Sequence, residues 1–170
     1  RRGHAGGQLG HRQQAGSGVT RERAAKPPRL HMADYAIVTG GSQGIGLAIC
    51  RRLIQDGLTP IIFDRVVPKD SSLGEFRAVE LSDLDATAAA LDWALGLGPV
   101  SRLVNNVGVV MPARLENTSL EDFDALMALN VRCAIQCTQA VAPAMRKRQI
   151  GRIVNIASRA ALGKALRTNY

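Results

Sequence analysis

Residues 39–46, "TGGSQGIG", carry the pattern on which the fold prediction rests. The run "YAIVT" at 35–39 predicts a buried strand, and it leads straight into this glycine loop. A helical pattern begins at residue 44 without a linker. Glycines in such a loop let the backbone turn sharply, approach an anion closely and direct a helix N-terminus at its charge. The stretch therefore predicts a dinucleotide-binding loop, formed by Gly40, Ser42, Gln43, Gly44, Ile45 and Gly46.

Short β-branched runs alternate with longer amphipathic stretches from Tyr35 onward, which is typical of a parallel sheet covered by helices. The last helix opens with Thr118 and Glu121 in capping-box spacing. The connection after "PIIFD" is too short and too polar to assign. The pattern predicts an α/β, Rossmann-type doubly wound parallel sheet in three layers (α/β/α). We expect strands at 35–39, 60–63, 76–79, 102–106 and 152–156, and helices at 44–56, 84–95 and 119–148.

An acidic residue ends the second predicted strand. Asp64 follows Gly46 by eighteen positions, which suits a carboxylate that accepts hydrogen bonds from the adenosine ribose hydroxyls. The same carboxylate would repel a 2′-phosphate, and no basic residue replaces Gln43 in the glycine loop. Arg65 weighs the other way, since a flexible guanidinium can swing toward a phosphate. NAD is favoured over NADP; without the glycine loop, Asp64 would be an ordinary turn carboxylate.

The net charge of +8 is concentrated at one end of the chain. Residues 1–31 hold seven Arg/Lys and one Glu, are rich in Gly and Gln, and lack periodic apolar positions. We interpret them as a disordered basic extension outside the native fold, formed by translated upstream sequence, with Met32 as the natural start. A nucleic-acid-binding arm is the alternative. Residues 32–170 are predicted to form the domain, with no nucleic-acid partner.

The three cysteines, Cys50, Cys133 and Cys137, are scattered through apolar patterns, which argues against a disulfide framework. Cys133 and Cys137 lack further Cys or His at ligand spacing, so we expect buried thiols and no metal. No apolar run approaches the roughly 18 residues of a membrane span. We therefore expect a cytoplasmic protein with no membrane partner.

Four ordered motifs within residues 34–170 resemble the short-chain dehydrogenase/reductase family. "TGGSQGIG" is similar to its cofactor loop, and "NNVG" at 105–108 to its N-N-A-G segment. "LNV" at 129–131 resembles the asparagine segment of its long helix, and "IVNIAS" at 153–158 the strand leading to its catalytic serine. Two positions depart from the family pattern. Val107 replaces the usual Ala, and Glu80-Leu81 stands where an Asp-Val pair often meets the adenine.

The resemblance implies a catalytic set of Asn130, Ser158 and Tyr170, with a lysine expected at position 174 from the family's Y-x-x-x-K pattern. In the family the tyrosine is the acid/base, the serine holds the substrate oxygen, and the asparagine, at a distortion of the long helix, holds a water. The resemblance also implies cofactor contacts from Asp64, Arg65, Leu81, Asn106, Val107 and Gly108.

Further expectations follow from the family's continuation beyond the tyrosine. We expect the C-terminal strands to be missing from these 170 residues, strand 153–156 to present a bare apolar edge, and the chain alone to bind NAD weakly without turnover. The intact protein is expected to be a homo-oligomeric NAD(P)-dependent reductase or dehydrogenase of a small carbonyl or alcohol, such as a 3-oxoacyl thioester. The alternatives are a nucleotide-sugar epimerase or dehydratase and a non-catalytic nucleotide-binding sensor or scaffold.

Overall fold

The computed structural model describes residues 34–158 as a parallel five-stranded sheet with helices on both faces. The basic extension and Tyr170 lie outside the described residues. The strands are β1 (Tyr35–Thr39), β2 (Thr59–Asp64), β3 (Glu75–Ala78), β4 (Val100–Asn105) and β5 (Arg152–Asn155). The α-helices are α1 (Gly44–Gln55), α2 (Leu84–Leu97), α3 (Leu120–Met127) and α4 (Cys133–Arg148). Short 3-10 turns lie at Ser71–Leu73 and Leu115–Asn117, and a π-helical segment lies at Ala128–Arg132.

Alternate residues of the central strands contribute side chains to two separate apolar layers. Ile37, Ile61 and Leu103 pack with α2 and α4 on one face, while Val38 and Ile62 pack with α1 on the other. Both faces of β1 and β2 are covered, which explains why the sequences of these strands are nearly continuous apolar runs. The predicted three-layer α/β/α arrangement is confirmed.

The sheet order is β3-β2-β1-β4-β5, so the chain reverses direction across the sheet between β1 and β4. The helix after β1 covers one face, and the helices after β3 and β4 cover the other. In open parallel sheets, ligands bind beyond the carboxyl ends of the strands at such a reversal. The topology therefore directs attention to the loops that follow Thr39, Asp64 and Asn105.

The predicted helical stretch at 119–148 is present, although it is not one regular α-helix. It is interrupted by the π-helical turn at Ala128–Arg132, where one extra residue per turn re-aims the side chains. The cap is also shifted by one position, because the Ser119 hydroxyl accepts from Asp122 N at 3.0 Å. Thr118 instead donates its hydroxyl to the Arg114 carbonyl at 3.0 Å. The other predicted elements are present with ends displaced by up to two residues.

β5 is the outer strand of the sheet in the described part of the chain. Its neighbourhood carries partly exposed apolar side chains, since Val154 is 40% and Ile156 42% exposed. The apolar edge expected from the sequence is thus present among residues 34–158. None of the helices described there is long and apolar enough to cross a bilayer.

Leu103→Ala is expected to lower the free energy of unfolding by about 2–5 kcal/mol, because Leu103 is fully buried in the layer under α2 and α4. Leu115→Ala removes the same atoms from a side chain that is 75% exposed. We expect it to change stability by less than about 0.5 kcal/mol. Denaturant titration of both variants measures the difference, and equal losses would contradict this assignment of the core.

Candidate functional site

The glycine loop after β1 is held tightly against the sheet. Gly40 has φ +68° and Gly44 φ +54°, conformations that disfavour side chains. The Gly40 N–H donates to the Phe63 carbonyl at 2.7 Å, which ties the start of the loop to β2. A Cβ on Gly46 would collide with the Gly40 carbonyl oxygen and lie 2.7 Å from Asn106 Nδ2. The glycines thus allow the start of α1 to close onto the end of β1.

The segment after β4 clamps this loop from the other side. Asn106 Nδ2 donates to the carbonyls of Thr39 at 2.9 Å and Gly40 at 3.0 Å. In return, the Thr39 hydroxyl oxygen accepts from the N–H groups of Asn106 at 2.9 Å and Val107 at 3.0 Å. The polar groups of neighbouring strand ends are satisfied by one another. The "NNVG" motif therefore acts first as a support for the glycine loop.

Asp64 connects the end of β2 to the same loop. Its Oδ2 accepts from Ser42 N at 3.0 Å, and its Oδ1 accepts from Val66 N at 3.1 Å. The carboxylate is thereby held in one orientation by two backbone groups. Each carboxylate oxygen retains further acceptor capacity for a ligand hydroxyl.

Glu80, in the loop after β3, lies beside Arg65. Its Oε1 accepts from Ser82 N at 3.1 Å and from the Ser82 hydroxyl at 2.7 Å, while its Oε2 is 3.2 Å from Arg65 Nη1. The Ser82 hydroxyl and, to a smaller extent, the Arg65 charge hold the pKa of the Glu80 carboxyl below its ordinary value. Glu80 is therefore ionised at neutral pH, and the favourable contacts of the ionised form are lost only as the pH falls through this lowered pKa.

These groups surround a cleft of about 210 Å³ beyond the carboxyl ends of the strands. The predicted cofactor residues share this cleft, except for Ser42 and three others of the loop. Ile45 is 65% exposed in the first turn of α1, Gly44 has open space around it, and Gly46 is buried behind Gly40. The cleft is lined by Gly40, Gln43, Asp64, Arg65, Val66, Val79, Glu80, Leu81, Asn106, Val107, Gly108, Val109 and Leu129.

One structural observation, independent of the sequence motif, indicates that the glycine loop suits an anionic dinucleotide. Ser42 Oγ is buried and has no hydrogen-bond partner within the described protein. A buried hydroxyl is normally paired, so an orphaned one next to a glycine loop suits an oxygen-rich ligand. Gly44, where an added Cβ would have no atom within 4 Å, leaves open space for a ligand to approach the loop backbone. The residues present therefore fit NAD(P).

Asn130 lies in the π-helical segment and reaches back to the loop after β4. Its Oδ1 accepts from Val109 N at 2.9 Å, and its Nδ2 donates to the Val109 carbonyl at 2.9 Å. This pairing fixes the side chain and holds Gly108 beside it, where an added Cβ would be 3.4 Å from Asn130 Oδ1. The helix distortion expected from the resemblance is present at this residue.

A second cleft of about 450 Å³ adjoins the first and shares Val107 and Leu129 with it. Its lining includes Asn130 from the π-helical segment and Ala157 just after β5. Ser158 follows Ala157 and is exposed. The structure thus brings Asn130 and the end of β5 to one cleft beside the proposed cofactor cleft, while Tyr170 lies outside the described residues.

The cysteines are buried thiols in the described structure. Burial raises the pKa of Cys50 to about 11. The hydrogen bond with Cys133 and burial raise the pKa of Cys137 further. The protonated thiols of Cys50 and Cys137 are therefore poor nucleophiles and ligands. Within residues 34–158, no group of three or more His, Cys, Asp or Glu could hold a metal ion.

Three contacts of the site were not predicted from the sequence. The Thr39 hydroxyl accepts hydrogen bonds from the first two N–H groups after β4, and the Val109 backbone fixes the Asn130 side chain. Glu80 forms an ion pair with Arg65. The threonine that opens "TGGSQGIG" was a visible signal for the first. Val109 contributes through its backbone, which leaves no trace in residue type, and the Arg65–Glu80 contact requires knowing that β3 lies next to β2.

Gly46→Ala is expected to destabilise the protein by more than about 1 kcal/mol, because the new methyl group would displace the Gly40 carbonyl or Asn106. Gly96→Ala is the matched control, since Gly96 lies in α2 with open space where its Cβ would stand. We expect that change to stabilise by about 0.5–1 kcal/mol. Thermal and denaturant unfolding measure both variants, and equal effects would exclude the tight packing described for the loop.

The chain is similar to several known proteins. The family model described as short chain dehydrogenase matches residues 34–170. Gluconate 5-dehydrogenase from Gluconobacter oxydans is 36% identical over 136 residues, covering 72% of this chain and 52% of the relative. Acetoacetyl-CoA reductase from Cupriavidus necator is 34% identical over 148 residues, covering 79% and 60%.

The chain is also similar to solved structures of short-chain oxidoreductases. A metagenomic short-chain oxidoreductase in complex with NADP is 36% identical with a TM-score of 0.68, covering 74% of this chain and 62% of that one. A 3-oxoacyl (acyl-carrier-protein) reductase from Agrobacterium tumefaciens with NADP bound is 28% identical with a TM-score of 0.70, covering 76% and 54%. The chain spans between 40% and 60% of the length of the curated relatives it matches. On the match to its family model and on this fold, the chain belongs to the short-chain dehydrogenase/reductase family.

Proposed function

We propose that the protein is an oxidoreductase that transfers a hydride between NAD(P) and a carbonyl or secondary alcohol. The observation that carries the proposal is the convergence of the glycine loop, Asp64 and the segment around Asn106 on one cleft at the sheet reversal. The cofactor supplies the hydride chemistry when bound. The protein's part is to bind it, to orient the substrate and to move a proton to or from the substrate oxygen.

NAD is the proposed cofactor. Ser42 N and Val66 N hold the Asp64 carboxylate at the end of β2. There it would accept hydrogen bonds from the ribose hydroxyls and repel a 2′-phosphate. The solved relatives named above have NADP bound, so the choice of NAD for this chain rests on its own charges.

The chain's own residues divide the remaining work. Asn130 is fixed by Val109 and keeps the loop after β4 against the helix, and Ser158 would hold the substrate oxygen. Tyr170 would exchange the proton with that oxygen. A phenol has a reference pKa of about 10, and a value near 7 requires about 4 kcal/mol of preferential stabilisation of the phenolate. A lysine one helical turn after the tyrosine, at position 174, would provide positive charge for it.

Carbonyl compounds of the 3-oxoacyl thioester class are the first substrates to test, because acetoacetyl-CoA reductase is among the similar proteins. We also propose a homo-oligomer for the intact protein. Its support is an exposed apolar face along α3 and α4, in which Leu120 is 78%, Phe123 52% and Ile135 53% exposed. A cytoplasmic location is proposed on the three reduced thiols.

Cofactor binding is expected to depend on Asp64. Asp64→Asn should weaken NAD binding about tenfold, because hydrogen bonds to a charged group contribute about 1.5–3 kcal/mol and each 1.4 kcal/mol is a tenfold change. Asp92→Asn, an exposed change on α2 outside the cleft, is the control. Calorimetric titration with NAD measures both, and failure of the unaltered chain to bind NAD or NADP would refute the proposed function.

Turnover is expected to require the residues after Tyr170. We predict that a polypeptide of residues 1–170 shows no NAD-dependent reduction or oxidation, and that a longer chain with a lysine at position 174 does. Tyr170→Phe in the longer chain should abolish the rate while leaving NAD affinity unchanged, because it removes only the proton-transferring hydroxyl. The absorbance of reduced nicotinamide reports the reaction. Turnover by the 170-residue polypeptide would contradict these assignments.

A further inference from the structure

We propose that Glu80 is a specificity-determining residue that withholds Arg65 from the 2′-phosphate of NADP. The inference rests on the proposed function and deepens it by naming the residue that sets the cofactor preference. Asp64 and Arg65 stand side by side at the end of β2, one favouring NAD and the other able to bind a phosphate. Glu80 decides which of the two prevails.

Arg65 is committed to Glu80 in this structure. Its Nη1 lies 3.2 Å from Glu80 Oε2, in the only ion pair formed by Arg65 within the part of the chain that the structure describes. The side chain is 69% exposed, so little packing confines it. Its position is therefore set by charge, and a competing anion in the cleft would have to displace one carboxylate.

Glu80 is held in place independently of Arg65. Its Oε1 is occupied by the N–H and hydroxyl of Ser82, which leaves Oε2 directed at the guanidinium. The Ser82 carbonyl in turn accepts from Arg132 Nη2 at 2.6 Å, and the Glu80 carbonyl accepts from Asp83 N at 3.0 Å. The loop that carries Glu80 is thus tied to the π-helical segment, and the Glu80 carboxylate is pre-positioned rather than free to follow Arg65.

The local charge balance disfavours a phosphate. Asp64, Arg65 and Glu80 all line the same cleft, and their charges sum to minus one. Neutralising Glu80 removes one negative charge and releases Arg65, which leaves a net charge of zero and a free guanidinium. NAD lacks the 2′-phosphate, so its affinity should depend little on this exchange. The pair is solvent-exposed, which limits the expected effect to a moderate preference rather than an absolute one.

The test compares NAD and NADP binding to the full 170-residue chain and its variants by calorimetric titration. Glu80→Gln keeps the side-chain length and an acceptor for Ser82 but removes the charge. We expect it to raise NADP affinity by about five- to tenfold and to leave NAD affinity within about twofold, as suits one exposed charge-assisted contact. Arg65→Ala and the double variant Arg65→Ala/Glu80→Gln complete the cycle.

The double variant isolates the part of the effect that passes through Arg65. If Glu80 acts by restraining Arg65, the change Glu80→Gln should raise NADP affinity by less than about twofold when Arg65 is absent. Asp56→Asn is the matched control, because it breaks the exposed Arg52–Asp56 ion pair of 3.1 Å at the far end of α1. It removes the same charge and should leave both affinities unchanged.

Three results would overturn the inference while leaving the proposed function standing: an unchanged ratio of NADP to NAD affinity in Glu80→Gln, an equal gain without Arg65, or an equal gain in Asp56→Asn. The second would assign the preference to direct repulsion by Glu80, and the third to net charge. Absence of binding of either dinucleotide to the unaltered chain would instead refute the proposed function. Circular dichroism of each variant verifies the fold, and Glu80→Ala provides a second neutral substitution.

Discussion

The site depends on one contact between neighbouring strand ends, the reciprocal clamp of Thr39 and Asn106. The Asn106 amide donates to two carbonyls of the glycine loop, and the Thr39 hydroxyl accepts from the first two backbone N–H groups after β4. β1 and β4 are adjacent where the strand order reverses. The clamp therefore joins the two strand ends that lie at the base of the cleft. Without it, the loop that faces the ligand would have several unpaired polar groups near a buried strand end.

The second constraint is electrostatic and lies in the same cleft, just after the ends of β2 and β3. Asp64 and Glu80 are each oriented by neighbouring donors, so their charges are fixed in space, whereas Arg65 is exposed and held by charge alone. Fixed charges discriminate between ligands without rearranging, which is the advantage of a pre-organised site. The clamp thus gives the site its shape, and we propose that the three charged residues at the β2 and β3 ends set its cofactor preference.

Much of the fold followed from sequence because the signals were local and mutually consistent. The five strands and the helices at 44–56 and 84–95 were predicted nearly at their observed positions, since buried strands and amphipathic helices have distinct periodicities. A distortion of the helix at Asn130 was expected from the resemblance, but its form, a π-helical segment, needed the structure. Contacts made through backbone groups, such as that of Val109, and contacts between distant segments, such as Arg65 with Glu80, needed the structure. The roles of Ser158 and Tyr170 remain predictions from motif order.

We propose that one cleft, formed by the loops after β1, β2, β3 and β4, binds a dinucleotide. Amide hydrogen exchange of the chain with and without NAD tests it most directly, because exchange reports each loop separately. We expect slower exchange with NAD in residues 40–46, 64–66, 80–82 and 106–109, and no change at residues 56–58 on the far end of the sheet. Protection that is absent from these four loops, or that appears equally at both ends of the sheet, would contradict it.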